Sequence, residues 1–300
     1  MLKQLGHNII GTVSVIGYFV NTVFWCIPIF CLSLLKVIPI SPWRKFISHI
    51  LDGCATNWIT LNNVNQNMTG RTRFEVAGID QLSVNDWYLV IANHQSWVDI
   101  LILQRVFNRR IPFLKFFLKK ELIWVPFLGL AWWALDFPFM RRYSKSFLAK
   151  HPHLKGKDLE TTRRACEKFR YKPVSVMNFI EGTRFTPAKH ARQNSPFTHL
   201  LKPRAGGVAF VLSSMGSQLH KLVNVTIYYP GGIPSFWDFV CGKVDQVRVQ
   251  VSVTPVADLF KEKVFHNDYF DDPRQRAVFQ QWLNKLWQDK DAQLSQFNTQ

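Results

Sequence analysis

The sequence predicts an α/β domain, built on a mostly parallel β-sheet flanked by helices and preceded by an N-terminal helical membrane anchor. Short apolar runs alternate with helix-length segments from residue 71 onward. Polar clusters directly follow two of these runs, as they do at the carboxyl ends of parallel strands. A 27-residue stretch without a charge, residues 9–35, precedes them all. We place the anchor at residues 1–65 and the α/β domain at residues 66–300.

The uncharged stretch is long enough to cross a bilayer, for which about 20 residues suffice. It is not a typical cleaved signal, because its apolar core is too long and no small-residue cleavage site closes it. Pro28 would kink or break a helix there, so two arrangements stay open: one tilted span, or a helix pair that dips into one leaflet. Residues 43–62 predict a further amphipathic helix, either on the membrane surface or packed in an ordinary core.

The elements of the α/β domain follow from hydrophobic periodicity. Predicted strands cover residues 73–77, 87–92, 113–117, 137–140, 174–179, 222–228 and 247–253. Predicted helices cover residues 97–107, 128–134, 159–169, 207–218 and 274–296. The last helix carries aromatic and leucine side chains on one face, which predicts that it packs on the body of the domain.

The charge distribution predicts an anionic partner. The formal net charge is +17, and residues 105–172 hold 17 Lys and Arg against five acids. This positively charged segment, hereafter the basic belt, suits nucleic acid, anionic lipid headgroups and phosphate-bearing substrates or carriers. No helix-turn-helix, RNP-like or zinc pattern supports nucleic-acid binding, so we predict no nucleic-acid partner. Five widely spaced cysteines without a C-x-x-C pair indicate a reducing compartment and no metal site.

The first polar cluster, residues 93–99 (NHQSWVD), lies between a predicted strand and a predicted helix. His94 is the side chain best suited to moving protons near neutral pH, and Asp99 could hold its ring. The same residues also match a helix-capping box, in which Ser96 and Asp99 only start the helix. The two roles are compatible.

The second cluster, Glu181, Gly182, Thr183 and Arg184, follows another apolar strand. Glycine allows close backbone approach, threonine offers a hydroxyl and an N–H, and the arginine fork suits a phosphate. The alternative is a polar turn with an exposed ion pair. Arg141, after a short apolar strand, is a candidate second phosphate contact, with Arg142 beside it. Four aromatic residues between the clusters suit a membrane-facing rim or an acyl groove, although we expect at least half of them in the core: Trp124, Phe127, Trp132 and Trp133.

Taken in order, N-H-x4-D, K-x-E-L-x-x-x-P-x-x-G, F-x-R and E-G-T-R resemble the glycerolipid acyltransferase family over roughly residues 70–255. That family includes 1-acylglycerol-3-phosphate and lysophospholipid acyltransferases. The K-x-E-L run and a later L-K-P-R resemble its YihG-type bacterial branch and the eukaryotic lysophospholipid relatives. Three positions depart from the family pattern: Ile180 stands where proline is common, Asn224 interrupts a V-P-V-like motif, and Met140 alters the F-I-D-R-like element.

The resemblance implies that His94 and Asp99 are the catalytic pair. It implies that Glu181, Gly182, Thr183 and Arg184 bind the acceptor phosphate, with Arg141 as a second contact. No cofactor is implied. Acyl-CoA or acyl carrier protein would be the co-substrate, with membrane lipids and a lysophospholipid acceptor as partners. The expected place is a bacterial inner membrane, with the catalytic domain facing the cytoplasm.

The resemblance implies acyl transfer onto 1-acyl-glycerol-3-phosphate. A thioester is activated enough to need only a nucleophile, and a hydroxyl becomes one when a base such as His94 removes its proton. Within the enzyme class, the alternatives are lysophospholipids with larger headgroups, or glycerol 3-phosphate. An alternative of another class is a non-enzymatic protein that binds anionic lipid through the basic belt.

Overall fold

The computed structural model describes residues 2–140, 169 and 172–299. Arg141, Arg142, Cys166 and nearly all of the predicted helix 159–169 lie outside these residues. The helices are α1 (Leu2–Leu35), α2 (Ser41–Thr69), α3 (Val98–Phe107), α4 (Leu128–Ala134), α5 (Pro187–Gln193), α6 (Ala205–Met215), α7 (Phe236–Val240), α8 (Val256–Lys261) and α9 (Pro273–Thr299). The strands are β1 (Arg73–Ala77), β2 (Tyr88–Ala92), β3 (Leu114–Phe116), β4 (Leu118–Lys119), β5 (Phe139–Met140), β6 (Ser175–Phe179), β7 (Lys221–Tyr228) and β8 (Gln246–Pro255).

Six of the strands form one sheet in the order β1-β8-β7-β2-β6-β3. Each neighbouring pair is parallel except β7 and β8, which are antiparallel. The prediction of a mostly parallel sheet is therefore confirmed. The predicted strand 137–140 differs, because only its last two residues are extended, and they pair with β4 in a separate two-stranded sheet.

Helices cover both faces of the main sheet, which is why the central strand β2 is buried along its whole length. Leu89 and Ile91 face a cluster formed with α6, α8 and α9. The alternate residues of β2 face a second cluster formed with α3. The predicted packing of the last helix is confirmed by three fully buried side chains of α9: Phe279, Leu283 and Trp287.

The N-terminal stretch forms one helix, α1, with Pro28 inside it. The predicted break at Pro28, and with it a helix pair within residues 9–35, does not occur. Instead α1 pairs with α2, which ends at Thr69, so the expected boundary at residue 65 lies inside a helix. A polar seam joins the two helices: Asn21 Nδ2 donates to Asn62 Oδ1 at 2.8 Å and Asn65 Nδ2 donates to the Ser14 carbonyl at 2.9 Å.

The opposite face of α1 is an exposed apolar stripe, hereafter the α1 stripe. It comprises Ile9, Val13, Ile16, Val20, Phe24, Ile27 and Leu34. The helix is long and apolar enough to cross a membrane by length and composition, and 11% of its most apolar window is buried. Both ends of α1 nevertheless contact the α/β domain. His7 Nδ1 lies 2.9 Å from the Cys241 carbonyl oxygen, and Lys36, just past the helix, pairs with Asp136 at 2.5 Å.

Candidate active site

His94 and Asp99 meet in the turn between β2 and α3. The His94 Nδ1 atom lies 2.8 Å from Asp99 Oδ2, and the same oxygen accepts the backbone N–H groups of Gln95 at 2.6 Å and Ser96 at 2.8 Å. Asp99 is fully buried and His94 is 9% exposed. The carboxylate is therefore fixed by its own turn, and it engages Nδ1 so that Nε2 is the ring nitrogen left for a substrate proton.

The helix-starting role of this turn is real as well. Ser96 Oγ accepts the Val98 N–H at 3.2 Å and donates to the Pro234 carbonyl at 2.6 Å. The Asp99 carboxylate accepts the Ser96 N–H, which is the carboxylate half of a capping box. Capping and histidine orientation thus use one carboxylate, and the N–H groups of Gln95, Ser96, Val98 and Asp99 are already bonded within the turn.

Tyr229 completes the surroundings of Asp99. Its hydroxyl donates to Asp99 Oδ1 at 2.6 Å from the far side of the carboxylate. Burial, followed by the charge of Asp99, raises the pKa of Tyr229 well above its usual value, so the hydroxyl stays protonated and donates. Sequence reasoning missed this residue. Its signal was its position directly after β7, at the same sheet edge as His94.

Residues in and after the second motif form hydrogen bonds with both backbone groups of His94. The His94 N–H donates to Glu181 Oε1 at 3.0 Å, and the Phe185 N–H donates to the His94 carbonyl at 2.7 Å. Glu181 Oε2 accepts the Leu201 N–H at 3.0 Å, and the glutamate is fully buried. Glu181 was expected to contact the acceptor phosphate. Its two oxygens serve backbone donors instead, so it positions His94.

A buried lysine from α9 supports this glutamate. Burial raises the pKa of Glu181 to about 8, while the N–H groups of Leu201 and His94 and the charge of Lys290 act in the opposite direction. Lys290 is itself buried, with its ammonium donating to the Val225 carbonyl. Burial lowers the pKa of Lys290 to about 7, and the charge of Glu181 opposes this. Both Glu181 oxygens act as acceptors, which fits the ionised carboxylate that Lys290 favours.

One face of the His94 ring is closed by an aromatic side chain. The Phe179 ring stacks on the imidazole with centroids 3.9 Å apart and planes 14° apart. Phe179 is the last residue of β6, so the strand that leads into Glu181 also fixes the tilt of the histidine ring.

Residues 182–184 form a partly exposed turn that cations surround. Gly182 has φ +71°, and a Cβ there would lie 3.4 Å from Arg204 Cδ. Thr183 Oγ1 accepts a hydrogen bond from Lys189 Nζ at 2.8 Å. The Arg184 guanidinium lies 4.4 Å from the centroid of the Trp97 ring. Sequence reasoning assigned no role to Lys189 or Arg204, and Arg141, being outside the described residues, stays a prediction.

An apolar cavity of about 440 Å³ adjoins this turn at Trp97. Its lining is Trp97, Ile100, Leu101 and Phe236. At least half of the four aromatic residues between the two motifs were expected in the core. Trp124, Phe127 and Trp133 are exposed, and only Trp132 is half-buried, against Phe137. With only one of the four packed against the core, the expectation of at least half is wrong.

Comparison with known proteins identifies relatives of the chain. The family model "Acyltransferase" matches residues 73–229, just over half of the chain. The 1-acyl-sn-glycerol-3-phosphate acyltransferase gamma of Mus musculus is 26% identical over 215 residues, covering 68% of this chain and 51% of that protein. Lysocardiolipin acyltransferase 1 of Gallus gallus is 23% identical, covering 94% of this chain and 70% of that protein.

The crystal structure of the 1-acyl-sn-glycerophosphate (LPA) acyltransferase PlsC from Thermotoga maritima has the same fold. The TM-score is 0.56 at 15% identity, with 98% of each chain covered. The chain spans about half the length of the first curated relative. The predicted resemblance to the YihG-type branch of the family stays a prediction.

Proposed function

This chain belongs to the acyltransferase family, and from that premise we propose that it moves a fatty acyl chain from a thioester to the free hydroxyl of 1-acyl-glycerol-3-phosphate. The observation that carries the proposal is the attachment of a partly exposed, arginine-bearing turn to both backbone groups of His94. A phosphate held at that turn has its neighbouring hydroxyl near a base. The mouse relative, a 1-acyl-sn-glycerol-3-phosphate acyltransferase, supports the same acceptor.

His94 acts as the general base. Nε2 takes the proton of the acceptor hydroxyl as its oxygen attacks the thioester carbonyl. The new C–O bond forms, the C–S bond breaks, and the departing thiolate takes the proton back from the imidazolium. Asp99 holds the Nδ1 proton and stabilises the cation that forms, with Tyr229 and two N–H groups keeping the carboxylate in place.

Arg184 is the main contact of the acceptor phosphate. Its stacking on Trp97 fixes the guanidinium plane while leaving edge N–H groups for a phosphate. Arg204 and Lys189, which pack on Gly182 and Thr183, add positive charge at the same turn. The apolar cavity beside Trp97 takes an acyl chain.

Several N–H groups at the start of α3 are not free to stabilise the oxyanion of the transition state. The N–H groups of Gln95, Ser96, Val98 and Asp99 are already bonded within the turn. These four groups therefore do not serve as oxyanion donors, and the developing negative charge needs other donors.

The protein sits on a membrane through the α1 stripe, with α1 lying in one leaflet. Both helix ends contact the α/β domain, which supports a helix lying beside the domain better than a span leading away from it. The expected place stays a bacterial inner membrane with the domain facing the cytoplasm. Free cysteines at Cys26, Cys31, Cys54 and Cys241 agree with a reducing compartment. The donor is acyl-CoA or acyl carrier protein.

A second candidate is a lysophospholipid with a larger headgroup. Gly182 and Arg204 are exposed, so the phosphate turn leaves room beyond the phosphate. The lysocardiolipin relative, which aligns with 94% of this chain, supports that candidate. A purely lipid-docking protein is disfavoured, since docking gives no reason to bury an Asp99 carboxylate under four donors.

The experiment compares lysophosphatidate with lysophospholipids of larger headgroup, each offered with acyl-CoA and with acyl carrier protein thioester. The proposal predicts the highest kcat/KM for lysophosphatidate. A preference for larger headgroups would select the second candidate, and absence of transfer to every acceptor with both donors would contradict both.

A further inference from the structure

A cavity of about 560 Å³ lies at the turn between α1 and α2. It sits beyond the amino end of β6, because Lys172 lines it and β6 runs from there toward Glu181. The active site occupies the opposite edge of the sheet. The cavity is lined by Ser33, Lys36, Val37, Pro39, Ser41, Arg44, Lys45, Ser48, Trp133, Ala134, Asp136 and Lys172.

The cavity wall carries more positive than negative charge. Lys36 pairs with Asp136 at 2.5 Å, and Lys172 pairs with Asp52 at 2.5 Å. The fully buried Lys115 lies 3.5 Å from the other oxygen of Asp52. Among the lining residues that the structure describes, four cations (Lys36, Arg44, Lys45 and Lys172) face one carboxylate (Asp136), an excess of three positive charges in this part of the wall.

Two further features favour an anion there. Burial, followed by the charge of Lys115, lowers the pKa of Lys172 to about 8, so a nearby anion would stabilise its charged form. The first turn of the 29-residue helix α2 forms part of the wall at Ser41, and the N-cap residue Ile40 supplies no side-chain acceptor. The N–H groups of this first turn of α2 add a partial positive charge to the wall.

The rim of the cavity is apolar and exposed. Val37 is 76% exposed and Trp133 is 54% exposed, and both line the opening. Ile38 and Ile40 extend this rim along the turn, and Leu34 connects it to the α1 stripe. A cationic cavity bordered by apolar side chains matches a phosphate joined to hydrocarbon chains, and not a small soluble anion.

We propose that this cavity binds the phosphate of an anionic membrane phospholipid, at a site separate from the acceptor site beside His94. The bound lipid fixes the α1–α2 turn at the membrane surface, with its acyl chains along the α1 stripe. The site is independent of acyl transfer, so its test measures binding.

The test is sedimentation of the full chain with phosphatidylcholine vesicles, with and without phosphatidylglycerol. The variant Arg44→Gln/Lys45→Gln should lose about 25-fold in affinity for the anionic vesicles, because each basic residue near such a surface contributes about fivefold. The charge-matched control is Lys261→Gln/Lys285→Gln, which removes exposed lysines of α8 and α9 and should lose far less. Both variants should bind neutral vesicles like the wild type.

Arg44 also donates from Nε to the carbonyls of Lys36 and Ile38, and the double variant breaks these hydrogen bonds as well as removing charge. A second variant therefore changes the charge alone. Lys45→Glu leaves those bonds intact, with Lys261→Glu as its match, and should give the same ranking. Equal losses in the site variants and their controls would overturn the proposal. Displacement of the protein from anionic vesicles by inorganic phosphate or free CoA at matched ionic strength would also overturn it, by assigning the cavity to a soluble phosphate compound.

Discussion

Among the single residues, Asp99 shows how the site is held. Its carboxylate accepts from the His94 ring, two N–H groups and the Tyr229 hydroxyl, so its position does not depend on substrate. Sequence reasoning found His94 and Asp99 because they are five residues apart. Tyr229 is 130 residues from Asp99, and no local pattern links the two.

Tyr229→Phe tests this arrangement. Removing the hydroxyl leaves Asp99 Oδ1 buried without that donor, so we expect a loss of about 1–3 kcal/mol in the free energy of unfolding. A less firmly held carboxylate orients His94 less well, so kcat should fall about tenfold, as for a bond worth about 1.4 kcal/mol. Urea unfolding and steady-state kinetics measure the two effects. Tyr269→Phe, in the other core cluster, is the control and should leave kcat unchanged; a Tyr229→Phe enzyme with wild-type kcat would contradict the role.

Lys290→Met tests the electrostatic support of Glu181. The charge of Lys290 lowers the pKa of Glu181, while burial and the charge of Asp99 raise it, so removing the lysine must raise that pKa further. The protonated glutamate is a weaker acceptor for the His94 N–H. We therefore expect wild-type kcat to rise with pH as Glu181 ionises, and Lys290→Met to shift that rise to higher pH.

The control for this experiment is Lys290→Arg, which keeps the positive charge and should keep the profile nearer to the wild type. A purely structural role for Lys290 would lower kcat equally at every pH. A Lys290→Met profile parallel to that of the wild type would thus refute the electrostatic role.

At the level of elements, the second motif divides into two parts: Glu181 positions His94, and the turn at residues 182–184 is the proposed phosphate site. Its first neighbour, Glu181, points inward to backbone donors, while Arg184 is half-exposed on Trp97. Sequence reasoning placed the turn correctly at a strand end but treated its four residues as one phosphate site. The inward direction of Glu181 follows from the strand packing, which the four letters do not contain.

Arg184→Ala tests the binding half of the turn. Losing a charge-assisted bond of about 1.5–3 kcal/mol should raise KM for lysophosphatidate by about 10–100-fold, with a smaller change in kcat. Arg192→Ala, an exposed arginine in the neighbouring helix α5, is the matched control. An unchanged KM in the Arg184 variant would remove the proposed phosphate contact.

The helices and strands differ in how well their sequences predicted them. The six strands of the main sheet appear within a few residues of the predicted runs. The buried strand β2 has a continuous apolar sequence, whereas β8 alternates apolar and polar residues because it is buried on one face. The short helices α5, α7 and α8 were missed, although α4, which has seven residues, was predicted. Pro28 leaves α1 unbroken although it lacks an N–H, and the contacts of α1 with α2 on either side of it account for that.

For the whole molecule, the two sheet edges have different tasks. The carboxyl ends of β2, β6 and β7 bring together His94, Glu181 and Tyr229, while the opposite edge carries the cationic cavity. The polar seam holds one face of α1 against α2. The opposite face, the α1 stripe, is therefore exposed and forms an apolar side of the molecule. Sequence analysis identified an anchor but left its arrangement open, because the partner face of α1 is a tertiary property.

Ile16→Asp tests the membrane side. A charge on the α1 stripe costs about 2.5–3.5 kcal/mol in hydrocarbon, so vesicle binding should fall about 100-fold. Asn284→Asp, on the exposed face of α9, adds the same charge away from the stripe and is the control. Wild-type vesicle binding by the Ile16 variant would show that the stripe does not enter the membrane.

The most direct test of the proposed chemistry is acyl transfer to lysophosphatidate by purified His94→Ala. A general base contributes about 10²–10⁴-fold, so turnover should fall by that factor while the far-ultraviolet circular dichroism spectrum stays unchanged. His266→Ala, which removes an exposed histidine between α8 and α9, should keep wild-type turnover. A folded His94→Ala protein that transfers acyl chains at the wild-type rate would contradict His94 as the base.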